Sequence, residues 1–136
     1  METNQIRVRL VTPERVLFER MADSVELPSK TGYMEVLYGH APLLAELGAG
    51  DVTLNGANGS ERYNVSWGFV EVLGDRVTIL ANDALKPSEI DLPRAEKQLA
   101  HGQDEWNQAG ESEEAYDEAL RIIAEAEAKI SSAKNQ

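Results

Sequence analysis

Gly68-Phe69-Val70-Glu71-Val72-Leu73-Gly74-Asp75-Arg76-Val77-Thr78-Ile79-Leu80-Ala81 reads as two strands folded back across Gly74-Asp75. Outward from this hairpin the same grammar recurs. Asn55-Gly56 and Asn58-Gly59 separate a strand over 51–54 from one over 62–66, and Gly48-Ala49-Gly50 breaks the chain before the first of them. Asn-Gly is a strong hairpin signal because it supplies a positive φ with little strain. Near the start, Ile6, Val8 and Leu10 alternate with Arg7 and Arg9, the period-two pattern of a half-buried strand. Thr12-Pro13-Glu14 turns into a strand carrying Val16 and Phe18. Val25 and Leu27 mark another, stopping at Pro28 before the turn Ser29-Lys30-Thr31-Gly32. Short strands at this turn-punctuated spacing predict an all-β sandwich or barrel over residues 1–84.

Beyond that point the period changes. Ala84 to Ser88 reads as a linker carrying Lys86-Pro87. Asp91 is placed to cap a helix by accepting from the Arg94 amide, because Pro93 has no amide hydrogen to offer. Leu92, Ala95, Leu99 and Trp106 recur on one face of that helix. Gly102 lies inside it, where glycine costs about 1 kcal/mol relative to alanine. Gly110-Glu111-Ser112 is a stop followed by a start, with Ser112 as N-cap and Glu113 and Glu114 against the positive helix end. Tyr116, Leu120, Ile123, Ala126 and Ile130 form the stripe of a second helix. The predicted whole is a two-part α+β chain, a β-sandwich followed by an antiparallel helical hairpin over 85–136. Alanine dominates the hairpin, and burying a methyl in place of a leucine side chain forgoes about 1–2 kcal/mol per position. The hairpin is therefore expected to lean on the sheet domain or on a partner, with reversible attachment.

Composition narrows the function classes. A net charge of −11 argues against nucleic acid and anionic lipid as partners and suits a basic protein surface. Residues 86–136 carry 12 acidic side chains against 6 basic ones. Without cysteine there is no disulfide framework, thiolate zinc site or cysteine nucleophile. No apolar run reaches membrane-spanning length, so no direct membrane insertion is expected. Met1 to Gln5 lacks the basic and apolar regions of a signal peptide, which leads to the expectation that the protein stays where it is made.

Glu35-Val36-Leu37-Tyr38-Gly39-His40-Ala41-Pro42-Leu43-Leu44 holds one of the two histidines between a glycine and a proline that constrain the backbone. His40 is either a general base, needing an oriented partner and a nucleophile, or a ring that braces a loop. His101, with Asp104 and Glu105 three and four residues on, reads as a surface residue with at most weak metal affinity. Gly-rich phosphate loops, serine nucleophile elbows and zinc-protease helices are absent from the sequence. The residues alone thus describe a non-enzymatic protein that presents loops from a sandwich and carries a thinly anchored hairpin.

The order and content of several segments resemble the epsilon subunit family of the F-type ATP synthase. These are Val11-Thr12-Pro13-Glu14, Leu27-Pro28 with Gly32, Gly39-His40-Ala41-Pro42-Leu43-Leu44, Trp67-Gly68-Phe69-Val70-Glu71-Val72, Val77-Thr78-Ile79-Leu80-Ala81 and Ile90-Asp91-Leu92-Pro93-Arg94-Ala95. The resemblance implies a rotor subunit without catalysis of its own. Its sandwich would dock on the gamma subunit and the ring of c subunits. Its hairpin would either fold back or extend towards the alpha and beta subunits and restrain ATP hydrolysis. The implied docking loop comprises Tyr33, Glu35, Tyr38, Gly39, His40, Ala41 and Pro42. In some members the folded hairpin binds ATP through a motif that maps onto Asp91, Arg94 and Ala95; no cofactor is otherwise required. The implied location is peripheral, on the cytoplasmic face of a bacterial plasma membrane or, for an organelle-encoded chain, on the thylakoid.

Three departures from the family pattern fall in the loop. Glu35 stands where members often have a second glycine, Tyr38 where they have proline, and Tyr33 follows Gly32 where some have an acid. The second helix carries only Arg121, Lys129 and Lys134 as cations, so strong attraction to acidic parts of a catalytic head is not expected. The alternative reading is a free-standing nucleotide- or small-ligand-binding sandwich with a helical lid.

Overall fold

The computed structural model describes residues 4–135. They form strands β1 (Ile6–Val11), β2 (Val16–Ala22), β3 (Ser24–Ser29), β4 (Gly32–Leu37), β5 (Leu43–Gly56), β6 (Gly59–Leu73) and β7 (Arg76–Leu85). A short 3-10 turn at Pro87–Glu89 leads to helices α1 (Leu92–Asn107) and α2 (Glu113–Lys134). Two compact units divide between Leu85 and Lys86.

The strands run β2-β1-β7-β6-β5-β3-β4 across one hydrogen-bonded sheet. Among the described residues only β1 and β7 pair in parallel; the other described pairings are antiparallel. The sheet closes on itself as a sandwich. Phe18 on β2 meets the ring of Tyr63 on β6 at 4.9 Å, although two strands separate them in the ladder. Arg20 pairs with Glu61 across the same gap.

The sequence divided β5 and β6 into shorter strands, and here the structure differs. Gly48-Ala49-Gly50 does not break the chain; it lies inside a strand of 14 residues. Likewise 62–66 and 68–73 belong to one strand of 15 residues. What the glycines mark is a change of face. On β5 the inward residues are Val52 and Leu54 on one side and Leu47 and Ala45 on the other; on β6 they are Tyr63 and Val65, then Val70 and Val72. The alternation inverts at Trp67 (φ 57) and Gly68 (φ 125). A side chain at Gly68 would overlap the Leu80 carbonyl, so this crossing requires glycine. One pair of long strands thereby lines both layers of the core.

Two other expectations also change. Pro28 lies within β3 rather than ending it, at an irregularity between Glu26 and Ser29 where the ladder to β5 lapses and no amide is needed. Ala84 and Leu85 belong to β7, so the linker is shorter than expected. The Gly74-Asp75 turn is as predicted, joining Leu73 and Arg76 with φ +64 at Gly74, the pattern of a type II′ hairpin.

Both predicted N-caps form in the helical unit. Asp91 Oδ1 accepts from the Arg94 amide at 3.1 Å, and Ser112 Oγ accepts from the Ala115 amide at 3.2 Å. Between the helices, Gln98 Nε2 donates to Glu125 Oε2 and Trp106 meets Tyr116 edge-on, which fixes an antiparallel hairpin. The buried face of α2 runs through Ala119 and Ala126 to Ser132, whereas Leu120, expected on it, is exposed. Gly102 explains the offset: a Cβ there would sit 2.8 Å from Ile123 Cγ1, so the glycine admits the α2 backbone and turns Leu120 outward.

Burial is distributed unevenly. The largest fully buried side chains, Ile6, Leu10, Leu27, Leu47, Ile79 and seven valines, all lie in the β unit. Each is worth about 1.5–3 kcal/mol. The helical unit buries Ala95, Ala109, Ala119 and Ala126, which contribute far less apiece. The hairpin is therefore the part of the chain expected to open first.

Candidate docking site

The candidate loop is built on a tight turn. The His40 amide donates to the Leu37 carbonyl at 3.1 Å, closing a β-turn whose third residue, Gly39, has φ +87. That is a type II turn, which needs glycine at its third position and favours proline at its second. Tyr38 occupies the second position, so the departure at Tyr38 puts a tolerated residue where proline fits best. His40 Nδ1 donates to the Ala41 carbonyl at 2.7 Å. Among the described residues no carboxylate or nucleophile is hydrogen-bonded to this ring, and the histidine is a brace for the backbone leading to Pro42. Tyr38, Gly39, Ala41 and Pro42 are exposed.

Tyr33 and Glu35 lie on the edge strand β4 rather than in the loop. Tyr33 is tied down: its hydroxyl accepts from the Asp51 amide at 3.0 Å, with the ring reaching across β3 to Gly50, where a side chain would collide with it. Glu35 stands directly opposite Glu26 on β3. Like charges facing across a ladder are locally unfavourable.

The loop borders a surface that the sequence reading missed. Strand pairing sets Glu46, Phe69, Leu80 and Val11 in one row on the outer face. The next row is Leu44, Glu71, Thr78 and Arg9, and beyond it Leu73 adjoins Arg76 and Arg7. Leu44 is 70% exposed, Leu73 61%, Phe69 50% and Leu80 47%. Four large apolar side chains open to solvent on one sheet face, beside a rigid turn, are the usual mark of a protein interface. The signal was present in the sequence: Phe69, Leu73 and Leu80 are apolar at positions that alternate with the core residues Val70, Val72 and Ile79.

Asp91, Arg94 and Ala95 share the first turn of α1. Asp91 caps the helix, Ala95 is buried, and the exposed Arg94 forms no ion pair with Asp91. Among the described residues no group of three or more His, Cys, Asp and Glu side chains is placed to hold a metal ion. His101 lies 3.7 Å from Glu105 on the helix surface.

Residues 5–87 match the family model described as ATP synthase, Delta/Epsilon chain, beta-sandwich domain. An ATP synthase epsilon chain of Koribacter versatilis (strain Ellin345) is 41% identical over 88 residues, which are 65% of this chain and 62% of that one, just under two thirds of the relative's length. An ATP synthase epsilon chain of Solibacter usitatus (strain Ellin6076) is 39% identical over 129 residues, covering 94% of this chain and 95% of that one. In fold, the chain is similar to one in the cryo-EM structure of the Euglena gracilis mitochondrial ATP synthase, OSCP/F1/c-ring, with a TM-score of 0.77 at 24% identity over 94% of this chain and 82% of that one. On the match of its β unit and the near full-length identity to the Solibacter relative, the chain belongs to the delta/epsilon family of ATP synthase chains.

Proposed function

We propose that the chain is a non-catalytic rotor subunit of the central stalk. In this reading its β unit docks on the gamma subunit and the c-ring, and its helical hairpin regulates hydrolysis. The observation that carries the docking is the exposed apolar face formed by Leu44, Phe69, Leu73 and Leu80 beside the 37–40 turn. A torque-bearing contact needs an apolar centre and a backbone that does not yield. The face supplies the first, and Gly39, His40 and Pro42 supply the second. No helix among the described residues is long and apolar enough to cross a membrane, and the proposed attachment to the membrane sector is through partner subunits.

The hairpin's alanine-lined interface suits it to two arrangements separated by a small free energy. Of the three cations on α2, Lys129 is held against Glu125 at 3.3 Å with its side chain only 12% exposed. With so few cations on α2, contact with acidic surfaces of the alpha and beta subunits has little charge to draw on, and restraint of hydrolysis by charge is weak. Regulatory ATP at Asp91, Arg94 and Ala95 would share the first turn of α1 with the capping bond.

Reconstitution tests this reading. Added to an F1 complex depleted of its epsilon subunit, the purified chain is expected to bind stoichiometrically and to change the ATPase rate. Failure to do either would refute it.

A further inference from the structure

The far end of the hairpin carries a second feature that neither the docking face nor the capping turn uses. Gln103, Trp106 and Asn107 on α1 and Leu120 and Ile123 on α2 line an open groove of about 420 Å³. Trp106 is 41% and Leu120 51% exposed, and both point into it. The surrounding charge is predominantly negative, although Lys97 and Arg121 bound the 98–120 stretch on either side. From Gln98 to Leu120 the chain has seven Asp and Glu residues and no Lys or Arg, and all seven are exposed.

Part of that charge serves the fold. Glu113 and Glu114 occupy the first turn of α2, where the helix dipole favours anions. Asp104 and Glu105 do not: they lie in the last turn of α1, at its negative end, where cations are favoured and none is present. Acids held against the local preference, around an exposed tryptophan and leucine, make a surface complementary to a cationic, apolar object.

We infer that this groove receives a basic amphipathic helix of a partner protein, one whose apolar stripe is flanked by lysine and arginine. The apolar stripe would fill the space between Trp106 and Leu120, in the manner of helix-in-groove recognition. The flanking cations would meet Asp104 on α1 and Asp117 on α2. The expected partner is opposite in charge to the acidic surfaces that a cationic hairpin would seek. The inference concerns the hairpin alone and stands whether or not the β unit docks as proposed.

The test is a titration of the full-length chain with a synthetic 18-residue Leu/Lys amphipathic helix, monitored by calorimetry and by amide chemical shifts. Controls are a Leu/Glu helix of the same pattern and a scrambled Leu/Lys peptide. The expected result is binding of the amphipathic Leu/Lys helix alone, with shifts confined to residues near 103–123. Leu120→Gln should weaken that binding at least tenfold, and the Asp104→Asn, Asp117→Asn pair should weaken it three- to tenfold and flatten its salt dependence. Leu120 is exposed, so circular dichroism of the variant should match the parent. No binding, equal binding of the scrambled peptide, or binding indifferent to Leu120→Gln would each overturn the inference, the last two by reducing it to unspecific attraction between charges.

Discussion

Replacing Gly102 by alanine sets two effects of known sign against each other. In an isolated helix the change is favourable by about 0.8–1 kcal/mol, since glycine carries the larger entropic penalty. In the hairpin the new methyl would stand 2.8 Å from Ile123 Cγ1, 3.0 Å from Ile122 Cγ2 and 3.2 Å from the Ile123 backbone nitrogen. Isoleucine in a helix has essentially one χ1 rotamer, so neither branched side chain can swing away cheaply. A backbone nitrogen can retreat only if the whole of α2 does. Overpacking of this kind costs about 1–3 kcal/mol. The net expectation is that the propensity gain is cancelled or outweighed, leaving a loss of about 0–2 kcal/mol confined to the helical unit. Native-state amide exchange is the suitable assay, because it reports α1 and α2 separately from the β unit. Ala100→Gly, at an exposed position of the same helix, calibrates the propensity scale with an expected loss of about 1 kcal/mol. If Gly102→Ala slowed exchange in α1 and α2 by the amount propensity alone predicts, the close approach of the helices would be refuted, and with it the explanation for the exposure of Leu120.

Other expectations follow from single contacts. Tyr38→Pro should stabilise the β unit by about 0.4–1 kcal/mol in thermal unfolding, because the second position of the type II turn already has the φ that proline imposes. Asp91→Ala should lower the stability of α1 by about 0.5–2 kcal/mol by amide exchange, with Asp91→Asn close to the parent, since either side chain can cap. Glu35→Gln should raise the denaturant midpoint by the equivalent of about 0.2–1 kcal/mol by removing the repulsion from Glu26, an effect that shrinks in high salt.

Local chemistry was legible in the sequence, and long-range consequence was not. Asp91, Ser112 and the Gly74-Asp75 turn declared themselves because each acts on residues within three positions of itself. Glycines misled where their reason lay elsewhere in the chain. Gly48 and Gly50 read as a break, yet they lie inside β5, facing Ser29, Pro28 and Tyr33 of neighbouring strands. Gly102 read as a tolerated weakness, and its cause is Ile123 on the other helix. Pro28 read as a stop because the irregularity that accommodates it is a property of the ladder to β5. Of the candidate site, the 37–40 turn and its histidine were visible directly, whereas the alternation that marks the apolar face has meaning only once the inward positions are known. Leu44, Phe69, Leu73 and Leu80 look like core until strand pairing shows that Ala45, Val70, Val72 and Ile79 hold the inward side. Tyr33, grouped with the loop by the resemblance, lies on β4 with its hydroxyl accepting from the Asp51 amide, a contact 18 residues away in sequence.

If the rotor partner sits on the outer sheet face beside the turn, binding to the isolated gamma subunit must depend on that face. Phe69→Lys with Leu80→Glu removes the apolar centre while leaving an opposite-charge pair across the two strands, so the sheet itself should hold. Calorimetric titration should show the parent chain binding gamma and the double variant binding at least tenfold more weakly, with the thermal midpoint of the free chain little changed. Undiminished affinity in a folded double variant would contradict the account and move the docking surface elsewhere on the chain.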